Sequence, residues 1–159
     1  MLRMFPLLLL ILSASAGAAG TPPPSATAKA MASAYVEGFR KMLRDNQASA
    51  AELACVERIP GTAVEPAMQS IIDQALNADE RAEMERFYAS PEGVRLFALY
   101  NRWGDTENAL STAELESILP LIKSGVQNKL FDATSFHSLG SVEAMQALQP
   151  WLERCPEPG

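Results

Sequence analysis

The chain has 159 residues, with 13 basic against 19 acidic side chains, a formal charge of −6, and 48% hydrophobic residues. That is sufficient for one domain with a real core and too little for two comfortable ones. An acidic balance argues against nucleic-acid binding, which needs a basic stripe to release counterions; the short cluster Arg40, Lys41 and Arg44 reads instead as the cationic last turn of a helix. Residues 1–19 have the layout of a secretory signal: Arg3 gives a positive start, Phe5 to Leu12 an apolar core interrupted by Pro6, and Ala14, Ala16, Ala18 and Ala19 the small residues of a cleavage site. The apolar run falls short of the roughly 20 residues a membrane helix needs, so an uncleaved anchor is disfavoured and no membrane span is expected in the mature chain. No cysteine lies at the cleavage region, which argues against a lipid anchor and places the protein in the periplasm of a Gram-negative cell.

Residues 20–24 form a Pro-rich leader, since Pro22, Pro23 and Pro24 cannot join a helix. A helical domain is then expected over residues 25–155, with a flexible tail at 156–159. Ser25 starts a long helix in which Ala28, Met31, Tyr35, Phe39 and Met42 recur at helical spacing and make an apolar stripe as far as Asp45. Such a face could bind a membrane or a partner, but core packing is its commoner use. Ser49 and Glu52 spell a capping box for a short helix with Leu53, Val56 and Ile59 inward, ended by Pro60 and Gly61. Pro66 opens a third helix with Met68, Ile71, Ile72 and Ala75 on one face.

The stretch Asn77–Tyr100 reads as two helices meeting at a prescribed break. Asn77 and Glu80 form a capping box, and Asp79 and Glu80 favour the positive end of the helix dipole. Met84, Phe87 and Tyr88 share an inward face, leaving Arg81, Glu83, Glu85 and Arg86 to water. Ser90 caps the next helix and Pro91 suits its first position; the proline also disfavours α geometry at Ser90, so the two helices meet at an angle. Val94, Phe97 and Tyr100, with Leu96 and Leu99, give the second helix its apolar face. Gly93, costly by up to about 1 kcal/mol against alanine, implies a close neighbour.

The run Phe87, Tyr88, Ala89, Ser90, Pro91, Glu92, Gly93 after an acidic capped helix resembles the motif of a bacterial family known as domain of unknown function 2059. The resemblance covers roughly 25 residues. It implies a small, mostly helical, exported protein and carries over no catalytic residue. This chain departs from the family's pattern after the glycine, where Val94, Arg95, Leu96 and Phe97 stand in place of a Lys-rich turn, as in a divergent member.

Beyond a polar loop at residues 104–108, Ser111 and Glu114 form a third capping box. Leu115, Ile118, Leu119, Ile122, Val126 and Leu130 predict a helix through Phe131, kinked or restarted at Pro120. A loop follows from Asp132 to Gly140 with the single histidine, His137, which has no ligand or nucleophile at a useful spacing. The last helix, from about Ser141, turns Val142, Met145, Leu148, Trp151 and Leu152 inward. The fold expected is all-α, a single small domain of about six or seven short amphipathic helices in an irregular bundle.

Two cysteines in an oxidising compartment, without metal-ligand spacing, predict a disulfide between Cys55 and Cys155, the alternatives being free thiols or an intermolecular link. No phosphate loop, zinc motif or nucleophile elbow is present, and no cofactor or metal is expected. Asp79, Glu80 and Glu83 lie at helical spacing, but an exposed first turn lacks the burial that tunes a catalytic carboxyl group. The leading expectation is a non-enzymatic periplasmic module that binds another envelope or secreted protein. The alternative is a carrier or chaperone-like module for an apolar ligand, suggested by the methionines and aromatic helix faces; a hydrolase with paired carboxylates is a distant third. The oligomeric state is open, although any exposed remainder of the Tyr35 or Trp151 face would point to a dimer.

Overall fold

The computed structural model describes residues 23–103, 108–135, 138 and 140–155. The expected secretory signal at 1–19, residues 104–107, His137 and the expected tail at 156–159 lie outside them. Among the described residues the chain forms eight α-helices and no strand: α1 Ala26–Asp45, α2 Ala50–Val56, α3 Glu65–Ala75, α4 Ala78–Tyr88, α5 Pro91–Asn101, α6 Thr112–Lys123, α7 Gly125–Thr134 and α8 Gly140–Leu152, with a 3-10 turn at Gly61–Ala63.

Most of these helices start where a side chain satisfies a first-turn N–H that has no partner within the helix. Ser25, Ser49, Asn77, Ser90, Ser111 and Ser124 each accept from a backbone N–H three residues on, and Glu52, Glu80 and Glu114 complete the three capping boxes by accepting from the cap residue's own N–H. α1 is the central element, packed on α3, α4 and the 3-10 turn, while α3 in turn carries α7 and α8. Met31, Tyr35, Val36 and Phe39 of α1 meet Met68, Ile71 and Ile72 of α3 in a core closed by Leu130 and Leu148. Burying each such side chain is worth roughly 1.5–3 kcal/mol.

Long-range polar contacts tie the helix ends together. Glu85, read as water-facing, instead turns onto the start of α1 and accepts from the backbone N–H groups of Ala26 (2.9 Å) and Thr27 (3.1 Å) and from the Thr27 hydroxyl (3.2 Å). A carboxylate there meets the positive end of a 20-residue helix. Arg81 donates to the carbonyl of Leu76 at 2.7 Å, closing the end of α3. Arg40 does the same for α2, donating to the carbonyls of Val56, Glu57 and Ile59. Arg40 therefore serves the neighbouring helix end, and of the expected cationic cluster only Arg44 stands in the last turn of α1. The predicted disulfide is present between Cys55 on α2 and Cys155 beyond α8, with the Cα atoms 5.6 Å apart across a sequence separation of 100 residues.

The long helix expected through Phe131 is two helices, which makes eight where about six or seven were expected. Pro120 stays inside α6 without restarting it, and the break falls at Ser124, which ends α6 in an extended conformation (ψ 120°) and caps α7. α7 runs on to Thr134, past the Asp132 at which a loop was expected. Periodicity also placed Val94, Leu115, Leu119, Val142 and Met42 inward, yet they are 58%, 38%, 38%, 56% and 39% exposed, because no neighbouring element covers that edge of their helices. Phe87 and Leu53 are half-buried.

Gly93 is required by a close approach: a Cβ there would sit 2.7 Å from the carbonyl carbon of Phe87 and closer still to its oxygen. Gly125, by contrast, faces open space. Gly93→Ala should therefore lower stability by roughly 1–3 kcal/mol, while Gly125→Ala at the first position of α7 should raise it by about 0.4–1 kcal/mol. Urea denaturation of both variants checks the pair, and a Gly93→Ala protein as stable as wild type would contradict the corner geometry. Closing a 100-residue loop is worth at most about 4.7 kcal/mol by chain entropy. The Cys55→Ala/Cys155→Ala double variant should accordingly lose roughly 2–5 kcal/mol in the same titration.

Candidate functional site

The corner between α4 and α5 decides the shape of the surface. Ser90 donates to the Phe87 carbonyl through both its backbone N–H (3.0 Å) and its hydroxyl (2.8 Å), and its Oγ accepts from Gly93 N–H at 2.9 Å. So fixed, α5 packs on α4 and α6 rather than along α1. A groove of about 540 Å³ is left between α1 and α5.

One wall is α1, which contributes Ala26, Lys29, Ala30, Ser33, Ala34 and Glu37, a stripe at helical spacing with small side chains through its middle. The opposite wall is Val94, Phe97, Ala98 and Asn101 of α5, also at helical spacing. Tyr88, the last residue of α4, forms the floor. Its ring stands edge-on to Phe87 (centroids 5.0 Å apart) and to Phe97 (5.1 Å), and the aromatic series continues from Phe97 through Phe131 to Tyr100. The Tyr88–Phe97 edge-to-face pair holds the α5 wall to α4.

Below the floor lies a buried polar pair. Gln127 of α7 is fully buried and donates from Nε2 to the Tyr88 hydroxyl at 2.6 Å, while its Oε1 has no hydrogen-bond partner. Burial pushes the Tyr88 phenol well above its ordinary range, and the bond from Gln127 offsets only part of that. Tyr88 is thus a neutral phenol at any physiological pH.

The charges in the groove stand on α1. Lys29 is exposed and has no ion-pair partner among the described residues. Glu37, two turns on, accepts from Arg40 (3.2 Å) and Arg44 (2.6 Å), and Glu57 closes the quartet by pairing with both arginines. Partial burial acts to raise the Glu37 carboxyl, but the hydrogen bonds from Arg44 and Arg40 outweigh it and hold it below the usual carboxylate range.

The other predicted residues are structural where the structure describes them. Asn77 and Glu80 form their capping box, and Glu80 also pairs with Lys129 of α7 at 2.7 Å, a long-range contact that local spacing does not reveal. The bond from Lys129, with that from the Asn77 N–H, lowers the Glu80 carboxyl. Phe87, Tyr88, Ser90, Pro91 and Gly93 all belong to the corner. Asp79 and Glu83 are exposed, and no cluster of His, Cys, Asp or Glu fit for a metal ion occurs among the described residues. Tyr35 is buried, donates to the Ser141 carbonyl at 3.1 Å, and lines a second, smaller groove against α8 with Val142 and Met145; Trp151 is half-buried. The α1 wall went unread in the sequence, although Ala26, Ala30 and Ala34 at four-residue intervals were there to find it. The chain matches no protein-family model, no curated protein and no solved structure.

Removing the Tyr88 hydroxyl alone leaves the Gln127 amide unpaired in the interior, whereas replacing both groups by apolar ones removes the problem. Tyr88→Phe should cost about 1–3 kcal/mol, and adding Gln127→Leu should recover most of the loss. Chemical denaturation of the two single variants and the double variant measures this, and simple additivity of the losses would refute it.

Proposed function

We propose that this protein is an exported, non-enzymatic module of the cell envelope that binds a helical segment of a polypeptide in the groove between α1 and α5. The observation that carries the reading is the groove itself: two helix faces at matching 3–4 residue spacing, lined mainly by apolar side chains and left apart by the Ser90–Gly93 corner. Amphipathic helices bind by laying i, i+3, i+4 and i+7 side chains into such a slot.

Export is supported by the signal-like start and by a disulfide suited to an oxidising compartment. Among the described residues the Ser25 N–H donates to Gln69, and Glu85 clamps the start of α1. Cleavage after Ala18 or Ala19 would leave these contacts untouched. No helix among the described residues is long and apolar enough to cross a membrane. The resemblance of the Phe87–Gly93 corner to the exported helical family of unknown function agrees with this placement.

A helix suits the site better than a small apolar ligand does. Pockets for small ligands enclose most of the ligand surface, about 70–90%, whereas this groove lies open and its α1 wall is built of alanine and serine. Catalysis by its own titratable groups is also disfavoured, since Lys29 and Glu37 stand about 12 Å apart along the helix axis and cannot share a reacting atom.

A photo-crosslinking amino acid placed at Val94, in cells producing the protein with its native leader, should capture a polypeptide, and peptide mapping should locate the adduct within a helical segment. Ala30→Trp, which fills the slot, should abolish the adduct, and the same probe at exposed Glu116 on α6 should give none. Equal capture at Val94 and Glu116, or capture insensitive to Ala30→Trp, would overturn the reading.

A further inference from the structure

The α1 wall has a property that a site for an arbitrary helix would not need: it is complementary to itself. Lys29 and Glu37 carry opposite charges and lie four residues to either side of Ser33, about 6 Å each way along the axis. Two copies of α1 laid antiparallel about a two-fold axis through Ser33 bring residue 29 of each against residue 37 of the other. Both ion pairs form at once, with the same surface used on each molecule, which is the requirement of an isologous dimer.

We propose that the helix this groove receives is α1 of a second copy of the same chain, giving a two-fold dimer centred on Ser33; the proposal rests on the reading that the groove takes a helix. Three features support that occupant. The side chains nearest the axis, Ala30, Ser33 and Ala34, are small, and Ser33 stays exposed, so a second helix can approach on the side that the 3-10 turn, bordering the Ser33 backbone at Gly61, leaves open. Lys29 is without an ion-pair partner among the described residues, so a facing carboxylate breaks no existing bond. Glu37 retains acceptor capacity: Arg44 and Arg40 each take one bond on separate carboxylate oxygens, while an ionised carboxylate offers about four acceptor sites. The charge around it is also balanced, because Arg40 and Arg44 are matched by Glu37 and Glu57. An incoming ammonium therefore meets a neutral quartet and not an excess of arginine.

In this arrangement Val94 and Ala98 of α5 flank the partner's α1, and symmetry places the partner's α5 against this one. The 58% exposure of Val94 is then the exposure of an isolated subunit. A parallel pairing would set Lys29 against Lys29 and Glu37 against Glu37. The charge pattern fixes the antiparallel sense.

Ser33→Cys offers a direct test, because the native cysteines are bonded to each other and the only new thiol lies on the proposed axis. The variant, purified after export and held in a glutathione redox buffer, should form a covalent dimer at micromolar concentration, while Thr112→Cys, exposed at the start of α6, should not. By light scattering the wild-type protein should be a dimer that weakens as salt rises. Lys29→Glu should weaken it roughly tenfold or more, since symmetry counts the reversal twice, and Lys29→Glu/Glu37→Lys should restore it. A Ser33→Cys protein that crosslinks no better than Thr112→Cys, or a dimer indifferent to Lys29→Glu, would overturn the proposal. If that happens while the Val94 probe still captures a helix of a different protein, the groove reading stands and self-association alone falls; if Val94 captures nothing, both fall.

Discussion

The shape of this molecule depends on the approach of Gly93 to the carbonyl of Phe87. The carbonyl accepts twice from Ser90, Ser90 accepts from Gly93, and no side chain intervenes because Gly93 has none. Proline at 91 then commits the chain to a new helix direction one residue later. The consequence reaches past the corner: α5 is directed away from α1, Tyr88 is left at the bottom of the gap, and the groove is set by seven consecutive residues. Packing elsewhere did not have to create it.

Both walls of the groove are referenced to α4. α5 is held to it by the corner and by the Tyr88–Phe97 ring contact, and α1 is held by Glu85, whose carboxylate binds the first N–H groups of the longest helix. A third tie, Lys129 to Glu80, fastens α7 near the start of the same helix. α4 has few buried residues of its own, Met84 and Tyr88, so it acts less as core than as a frame whose polar side chains position the helices around it. The disulfide has a different role: it joins the short α2 to the chain beyond α8 across a sequence separation of 100 residues.

Features encoded within four residues were legible in the sequence. All three capping boxes form as read, the Ser90–Pro91 break is where it was expected, and the cysteine pairing followed from there being two in a chain whose start reads as a secretory signal. Features that depend on a distant neighbour were not legible. Glu85 looked like a solvent-facing residue because its partner lies 59 positions away. Val94, Leu115, Leu119 and Val142 were assigned inward because periodicity identifies the apolar side of a helix without saying whether another helix is available to cover it. Pro120 drew attention as a breaker, while the actual break at Ser124 came from an extended cap that competes with the helix. The groove was invisible for the same reason as Val94, since a gap between helices is a property of their arrangement and no single segment specifies it.

The composition of the α1 wall bears on whether that gap is incidental. Exposed apolar side chains taken singly are normal on a soluble protein and need no explanation. Alanine at 26, 30 and 34 could likewise reflect helix propensity alone, since alanine is the best helix former. Propensity does not account for Ser33, which is poorer than alanine by a few tenths of a kcal/mol and lines the groove, its backbone bordered on the other side by the 3-10 turn at Gly61. Lys29 has no acidic residue three or four positions away on its own helix with which to pair, since those positions are Ser25, Ala26, Ala32 and Ser33. Small side chains are costly to leave on a wall that nothing approaches, because larger apolar ones would add burial against α5. Their presence on one face, beside an uncovered Val94 on the other, is the pattern expected of a surface on which a backbone comes close.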